Sequence, residues 1–151
     1  MYEYKAKILK VVDGDTVDVD IDLGFGIWMK DERVRIKEID TPESRTRDKT
    51  EKTFGLASKA RLQQLLPQDS IQILRTVINK NGEDMKGKFG RILGDFQVYY
   101  APTDCTRPAG DILVEEGYAV AYAGGSKEEI LEKHFANREK LVKEGKVIFS
   151  D

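Results

Sequence analysis

Val17-Asp18-Val19-Asp20-Ile21-Asp22-Leu23 is the stretch on which the fold turns. Apolar and acidic residues alternate with period 2, the pattern of a strand with one dry face and one wet face. The aspartates read as the solvated face, because alternate residues along one strand do not converge on a single point. Upstream, residues 5–12 read as a first strand and Asp13-Gly14-Asp15 as the turn between the two. Downstream, Leu23-Gly24-Phe25-Gly26 breaks the pattern, and Phe25 and Trp28 read as a packed hairpin end. Val34 and Ile36, alternating with Arg33, Arg35 and Lys37, form a third strand that stops at Thr41-Pro42, since Pro42 has no N–H to give a ladder.

Further along, residues 43–53 are polar and aperiodic and read as a mobile loop. A helix follows from Phe54 to Leu66, with Ala57, Ala60 and Leu65 near one face, and Pro67 stops it. Ile71, Ile73 and Val77 mark a fourth strand. Asn81-Gly82 is a hairpin signal, and Ile92 to Tyr99 returns as a fifth strand. Residues 101–110 read as a loop. Asp111 reads as the cap of a short helix, Ile112 to Glu116, with Gly117 as its C′ residue. Ser126 caps a last helix, Lys127 to Glu144, whose buried side is Ile130, Leu131, Phe135, Leu141 and Val142. Three strands, a helix, two strands and two helices give an α+β fold with a mainly β core. This order is that of a five-stranded OB-type barrel with three helices, spanning residues 1–151 as one domain.

The chain has 151 residues, 40% hydrophobic and 34% charged, an ordinary globular balance. At this length roughly 68–70% of the unfolded surface can be buried, so no covalent staple is needed. No apolar run approaches the ~18 residues of a membrane span. The N-terminal Met1-Tyr2-Glu3-Tyr4-Lys5 lacks the apolar core of a signal peptide, so the expectation is a cytoplasmic, monomeric protein with no membrane partner. Cys105 and His134 each occur once, which excludes a disulfide and a zinc centre built from His and Cys. His134 reads as structural or solvated, and Cys105 as a free thiol. Any bound metal must rely on oxygen ligands.

The formal net charge is −2, which argues against a simple polycation. The charge is nonetheless segregated. Residues 30–61 carry ten positive and seven negative side chains, and residues 75–91 carry five and two, so each is net +3. The acidic excess lies in residues 1–29 and 92–151, at −3 and −4.

Three short stretches hold residues suited to chemistry. Asp13-Gly14-Asp15-Thr16 is, by itself, a tight turn. Arg35 with Asp40-Thr41-Pro42-Glu43 is, by itself, a charged strand end. Lys88-Phe89-Gly90-Arg91 is, by itself, a turn entering a strand. Together they supply the carboxylates of Asp15 and Asp40, an additional Glu43 and the guanidinium groups of Arg35 and Arg91. Carboxylates without His or Cys suit Ca²⁺ or Mg²⁺. Arginine presents a planar fork that matches phosphate. The set suits phosphodiester chemistry.

These stretches resemble the staphylococcal (micrococcal) nuclease, or thermonuclease, family. The matching segments are Val11 to Val17, Arg35 to Glu43 and Lys88 to Arg91, with a weaker match from Val114 to Ala119, through Tyr122, to Ile148-Phe149-Ser150. The resemblance implies an OB barrel with three helices and a calcium-dependent endonuclease acting on DNA and/or RNA. It also implies cleavage of the 5′ P–O bond to leave 3′-phosphates. Under it, Asp15, Asp40 and the main-chain carbonyl of Thr41 are Ca²⁺ ligands, and Asp13 is an outer-sphere neighbour. Arg35 and Arg91 grip the phosphate, Glu43 is the general base, and Lys88 and Tyr122 flank the nucleotide. The chain departs from the family pattern at Phe89 and Gly124, where tyrosines are expected. A non-catalytic OB-type module that binds nucleic acid or protein is the alternative. A purely structural calcium domain would leave Arg35 and Arg91 unexplained.

The overall charge of −2 also sets an expectation for affinity. Few phosphates are neutralised, so nucleic-acid binding should be weak and lost at modest salt. Fluorescence anisotropy of a labelled oligonucleotide at rising NaCl, with chelator present, checks this. Binding that survives high salt would contradict it.

Overall fold

The computed structural model describes residues 2–77, 90–122 and 126–148. The Asn81-Gly82 hairpin signal, Lys88, Phe89 and Gly124 lie outside them. The strands are β1 (Glu3–Asp13), β2 (Thr16–Gly24), β3 (Ile27–Ile36), β4 (Ile39–Asp40), β5 (Ile71–Thr76), β6 (Ile92–Tyr100), β7 (Cys105–Pro108) and β8 (Val120–Ala121). The helices are α1 (Lys49–Leu65), α2 (Ala109–Glu116) and α3 (Lys127–Lys143).

The sheet runs β3-β2-β1-β5-β6-β7, and β3 closes back onto β6 in parallel. Strands β1, β2, β3, β5 and β6 thereby form a ring, the OB-like barrel expected from the element order. The closing register sets Val34 opposite Ile92, Arg35 opposite Leu93 and Ile36 opposite Gly94. A separate two-stranded ladder, β4–β8, pairs Ile39 with Ala121 and Asp40 with Val120. Inside the barrel lie Val17, Val19 and Ile21 of the alternating stretch, with Ile8, Val34, Leu74 and Phe96. Leu62 and Leu66 from α1 and its end, and Ile112 and Leu113 from α2, complete this core.

Several expectations need correction. The aspartate face of β2 is not simply solvated, since Asp20 is buried. The β2–β3 register shifts between Val19 and Ile21, and there the Asp20 carboxylate accepts from Asp31 N at 2.8 Å and from Lys30 Nζ at 3.4 Å. The Asp31 N–H, more than any other group, holds Asp20 below the ordinary aspartate range. The hairpin end is not packed: Phe25 is fully exposed in a left-handed conformation, and Trp28 lies beneath the Lys30 ammonium.

Part of the expected 43–53 loop is helix. The Asp48 carboxylate accepts from Thr50 N and Glu51 N and starts α1 at Lys49. The buried side of α1 is Phe54, Gly55, Ser58 and Leu62 rather than the alanine face. Residues 105–108 are strand rather than loop, with Pro108 tolerated because β7 is an edge. On α3 the buried residues are Ile130, His134 and Leu141, while Leu131, Phe135 and Val142 are about half exposed.

Helix α2 begins at Ala109, after Pro108, so Asp111 lies in its first turn and does not cap it. The capping carboxylate comes from β6. Asp95 accepts from Gly110 N at 3.1 Å and from Phe96 N at 2.7 Å. Burial pushes the Asp95 carboxyl up to about 7, against the pull of these two N–H groups; Asp111 raises it further and Lys37 lowers it. Folding therefore takes up a proton between the ordinary value of 3.8 and about 7. The associated stability is fully present below that window and is lost as pH rises through it. Urea midpoints should fall from pH 5 to pH 7.5, and Asp95→Asn should flatten this slope. An equal slope in the variant would assign the pH dependence to other groups.

Candidate active site

The site is assembled where the β1–β2 turn, the end of β3, the β4 strand and the start of α1 meet. The turn is joined to β3 by Ile36 N donating to Asp15 O at 2.8 Å. Arg35 stands opposite Thr16 across the β2–β3 ladder. Its guanidinium donates to Ile36 O at 2.6 Å and Ile39 O at 2.9 Å, and Nη2 lies 3.4 Å from Asp15 Oδ2. Three contacts thus fix the plane and direction of a positive charge at the base of the site.

A cavity of about 390 Å³ opens beside it, lined on one wall by Arg35, Asp40, Thr41 and Glu43. Tyr122, Ile130 and His134 line it as well. Asp13 and Arg91 line a second cavity of about 270 Å³, together with Thr16, Arg33 and Arg45. The structure therefore gathers Arg35, Asp40, Thr41, Glu43 and Tyr122 around one space and sets Arg91 and Asp13 around another. Asp15 is the bridge, tied to Arg35 and to the Thr16 hydroxyl, which donates to its Oδ1 at 2.8 Å. Asp13 accepts from the Ser44 hydroxyl and lies 3.6 Å from Arg45. Lys88 is outside the described residues.

Glu43 is exposed, with its backbone N–H donating to Glu51 Oε1 at 3.4 Å. Its carboxyl is raised above the ordinary glutamate range, first by the protein crowded around it. The negative charges of Asp13, Asp15, Glu51 and Asp40 add to the shift, in that order. Four carboxylates acting on a fifth define a local excess of negative charge, one that an added cation would relieve. Among the described residues, no group of three or more His, Cys, Asp or Glu side chains is gathered to hold an ion by side chains alone. The donors present are hard oxygens: two carboxylates, Asp15 and Asp40, and the backbone carbonyl of buried Thr41. That set fits Ca²⁺, which accepts carboxylates, carbonyls and water in flexible geometry.

Two features escaped sequence reasoning. Glu51 reaches the site because α1 begins earlier than its apolar pattern; the spacing Asp48-x-x-Glu51 was the available signal. His134 Nε2 lies 2.7 Å from Asp40 Oδ2, and its place four residues after Ile130 on the buried stripe of α3 was the clue.

Fold and site together define an OB-type barrel bearing an acidic cleft with a pinned arginine. A family model described as "Staphylococcal nuclease homologue" matches residues 33–149, and the chain belongs to that family. The micrococcal nuclease of Shigella flexneri is 29% identical over 128 residues, covering 80% of this chain and 59% of the relative. The chain thus spans about three-fifths of that relative's length. The family match begins beyond Asp13 and Asp15, so it is the folded structure that joins this turn to the matched cleft residues. No described helix is long and apolar enough to cross a membrane.

The raised Glu43 carboxyl is directly measurable. A carboxyl-carbon NMR titration of the metal-free protein should place it above ordinary glutamates. Asp13→Asn removes the strongest of the four neighbouring charges and should move it down. A Glu43 value at or below the ordinary range, or one unmoved in the variant, would contradict this electrostatic picture.

Proposed function

We propose that this chain is a calcium-dependent nuclease that hydrolyses phosphodiester bonds of DNA, RNA or both. By resemblance, cleavage is at the 5′ P–O bond and leaves 3′-phosphates. The observation that carries the reading is the meeting of Arg35 with Asp15, Asp40, Thr41 and Glu43 at one barrel mouth, in a chain of the staphylococcal nuclease homologue family. An OB barrel does not require an arginine pinned beside so many carboxylates, but phosphate chemistry does.

Asp15, Asp40 and the Thr41 carbonyl are the residues that would hold the ion. The chemistry Ca²⁺ supplies when bound is charge neutralisation and polarisation at the phosphate. Arg35 supplies a guanidinium already oriented by two carbonyls, so no reorganisation is needed as negative charge builds on the phosphate. Arg91, which lines the adjoining cavity with Asp13 and Thr16, is the second phosphate-gripping guanidinium that the resemblance implies. Glu43 orients the attacking water and takes its proton. Its raised carboxyl makes it a better proton acceptor than an ordinary glutamate, but it must be ionised to act, so activity should fall as pH drops through its pKa. Tyr122 and Lys88 flank the nucleotide.

Digestion of plasmid DNA and of RNA, with Ca²⁺ and with chelator, tests the reading. Cleavage should need Ca²⁺. Arg35→Ala should lower turnover by about 10²–10³-fold, and Glu43→Gln by about 10²–10⁴-fold, with both variants folded by circular dichroism. Oligonucleotide binding with no Ca²⁺-stimulated cleavage would instead establish a non-catalytic binding module. Full activity in either variant would overturn that residue's role.

A further inference from the structure

The geometry points to His134 as the positioning residue of Asp40. This rests on the calcium reading above and goes beyond it, because it adds a residue from the last helix that touches neither phosphate nor ion.

Asp40 lies in a strand of two residues, too short to fix its own side chain. The backbone is held from several directions: Ile39 and Asp40 pair with Ala121 and Val120, Ile39 O accepts from Arg35, and Glu38 O accepts from Tyr122 N at 2.7 Å. The carboxylate itself has one side-chain partner among the described residues, His134 Nε2 at 2.7 Å from Oδ2. The His134 side chain is 10% exposed, against 41% for Asp40. A buried imidazole on a helix thus holds a half-exposed carboxylate at the cavity wall.

Helix α3 is itself well anchored. Ser126 caps it, its side chain accepting from Glu129 N at 3.2 Å, and Ile130 and Leu141 are buried on either side of His134 along the same face. Asn137, within one turn of His134, donates to Ala119 O at 3.2 Å, next to the β8 strand that pairs with β4. The helix that carries the histidine and the strand that carries the aspartate are therefore referenced to the same segment.

A carboxylate only accepts, so His134 Nε2 is the donor to Oδ2. This fixes the Asp40 rotamer and makes Oδ1 the oxygen offered to a divalent cation. Partners of this kind, which hold a metal-binding carboxylate from behind, typically change metal affinity 10–100-fold when removed.

Isothermal titration of Ca²⁺ into the full chain tests the inference without reference to activity. His134→Leu keeps bulk and removes the donor, and should weaken Ca²⁺ binding by about 10–100-fold. His134→Gln restores an N–H at similar reach and should recover most of that loss. Both should be folded by circular dichroism. Unchanged affinity in a folded His134→Leu would overturn the role, as would a Gln variant no better than Leu, since packing would then be the whole contribution.

A second measurement needs no variant. His134 is the only histidine in the chain, so its imidazole signals in a long-range proton–nitrogen spectrum need no assignment. They should report the Nε2–H tautomer and shift on Ca²⁺ addition. The Nδ1–H tautomer, or no response to Ca²⁺ that calorimetry shows to bind, would overturn this inference alone. A wild-type chain that binds no Ca²⁺ would overturn both this and the calcium reading.

Discussion

The site depends on how closely α1 approaches the chain that carries its carboxylates. A Cβ placed on Gly55 would lie 2.3 Å from the carbonyl oxygen of Glu43 and 2.7 Å from Ser44 N. A Cβ on Gly14 would lie 2.8 Å from the Ser58 Cβ and 3.2 Å from Thr41. The helix therefore rests directly on two backbone segments, one ending in Glu43 and the other turning into Asp15. Ser58, between them, donates to Tyr118 O at 2.7 Å and ties the same helix to the segment after α2. Only glycine permits these distances, because any side chain would have to occupy space filled by the Glu43–Ser44 backbone at Gly55 and by the Ser58 and Thr41 side chains at Gly14. Remove that contact and the carboxylates lose their common reference.

Close packing of carboxylates has an electrostatic consequence. Partial desolvation by the surrounding protein and four like charges raise Glu43, and the nearby cations do not cancel them. Arg35 is committed to Asp15 and two carbonyls, and Arg45, mostly exposed, faces Asp13 at 3.6 Å. Groups held in such repulsion cost the fold stability, a pattern met where function requires it. One structural acid behaves differently. Glu116 accepts from Arg61 and from the Tyr100 hydroxyl and is lowered, although burial opposes this. Glu116, satisfied by Arg61 and Tyr100, thus contrasts with Glu43, while Asp95, raised to about 7 by burial, shows that the scaffold also holds a raised carboxyl.

Much of this was legible in the sequence, and the exceptions share one cause. The alternation at Val17 to Leu23 identified the strand and the burial of Val17, Val19 and Ile21, because period 2 is a local property of the pleat, while Leu23 at its end is exposed. Asp15 and Arg35 were singled out as members of one chemical set, and their sharing of a site was what the family resemblance implied. What could not be read were contacts closed by distant residues. The cap of α2 comes from Asp95, fifteen residues before Gly110. The partner of Asp40 is His134, ninety-four residues away. Asp20 is buried because a register shift turns Asp31 N towards it. In each case a polar group sits where periodicity would place an apolar or solvated one, and only the fold supplies its partner.

Charge follows the same logic at a larger scale. A total of −2 predicts little attraction for a polyanion, yet residues 30–61, which hold Arg35, Arg45 and Asp40, are net +3. The β2–β3 ladder brings this basic segment against the acidic N-terminal strands through the Thr16–Arg35 pair. The outcome is a mouth with fixed cations and excess carboxylates in contact, rather than a uniformly positive surface. Such a mouth attracts phosphate weakly from a distance and makes strong local demands once it arrives. In the proposed nuclease Arg35 would show why: two short bonds to backbone carbonyls spend part of its hydrogen-bonding capacity on orientation, and an oriented guanidinium is what would stabilise charge that appears only as a reaction proceeds.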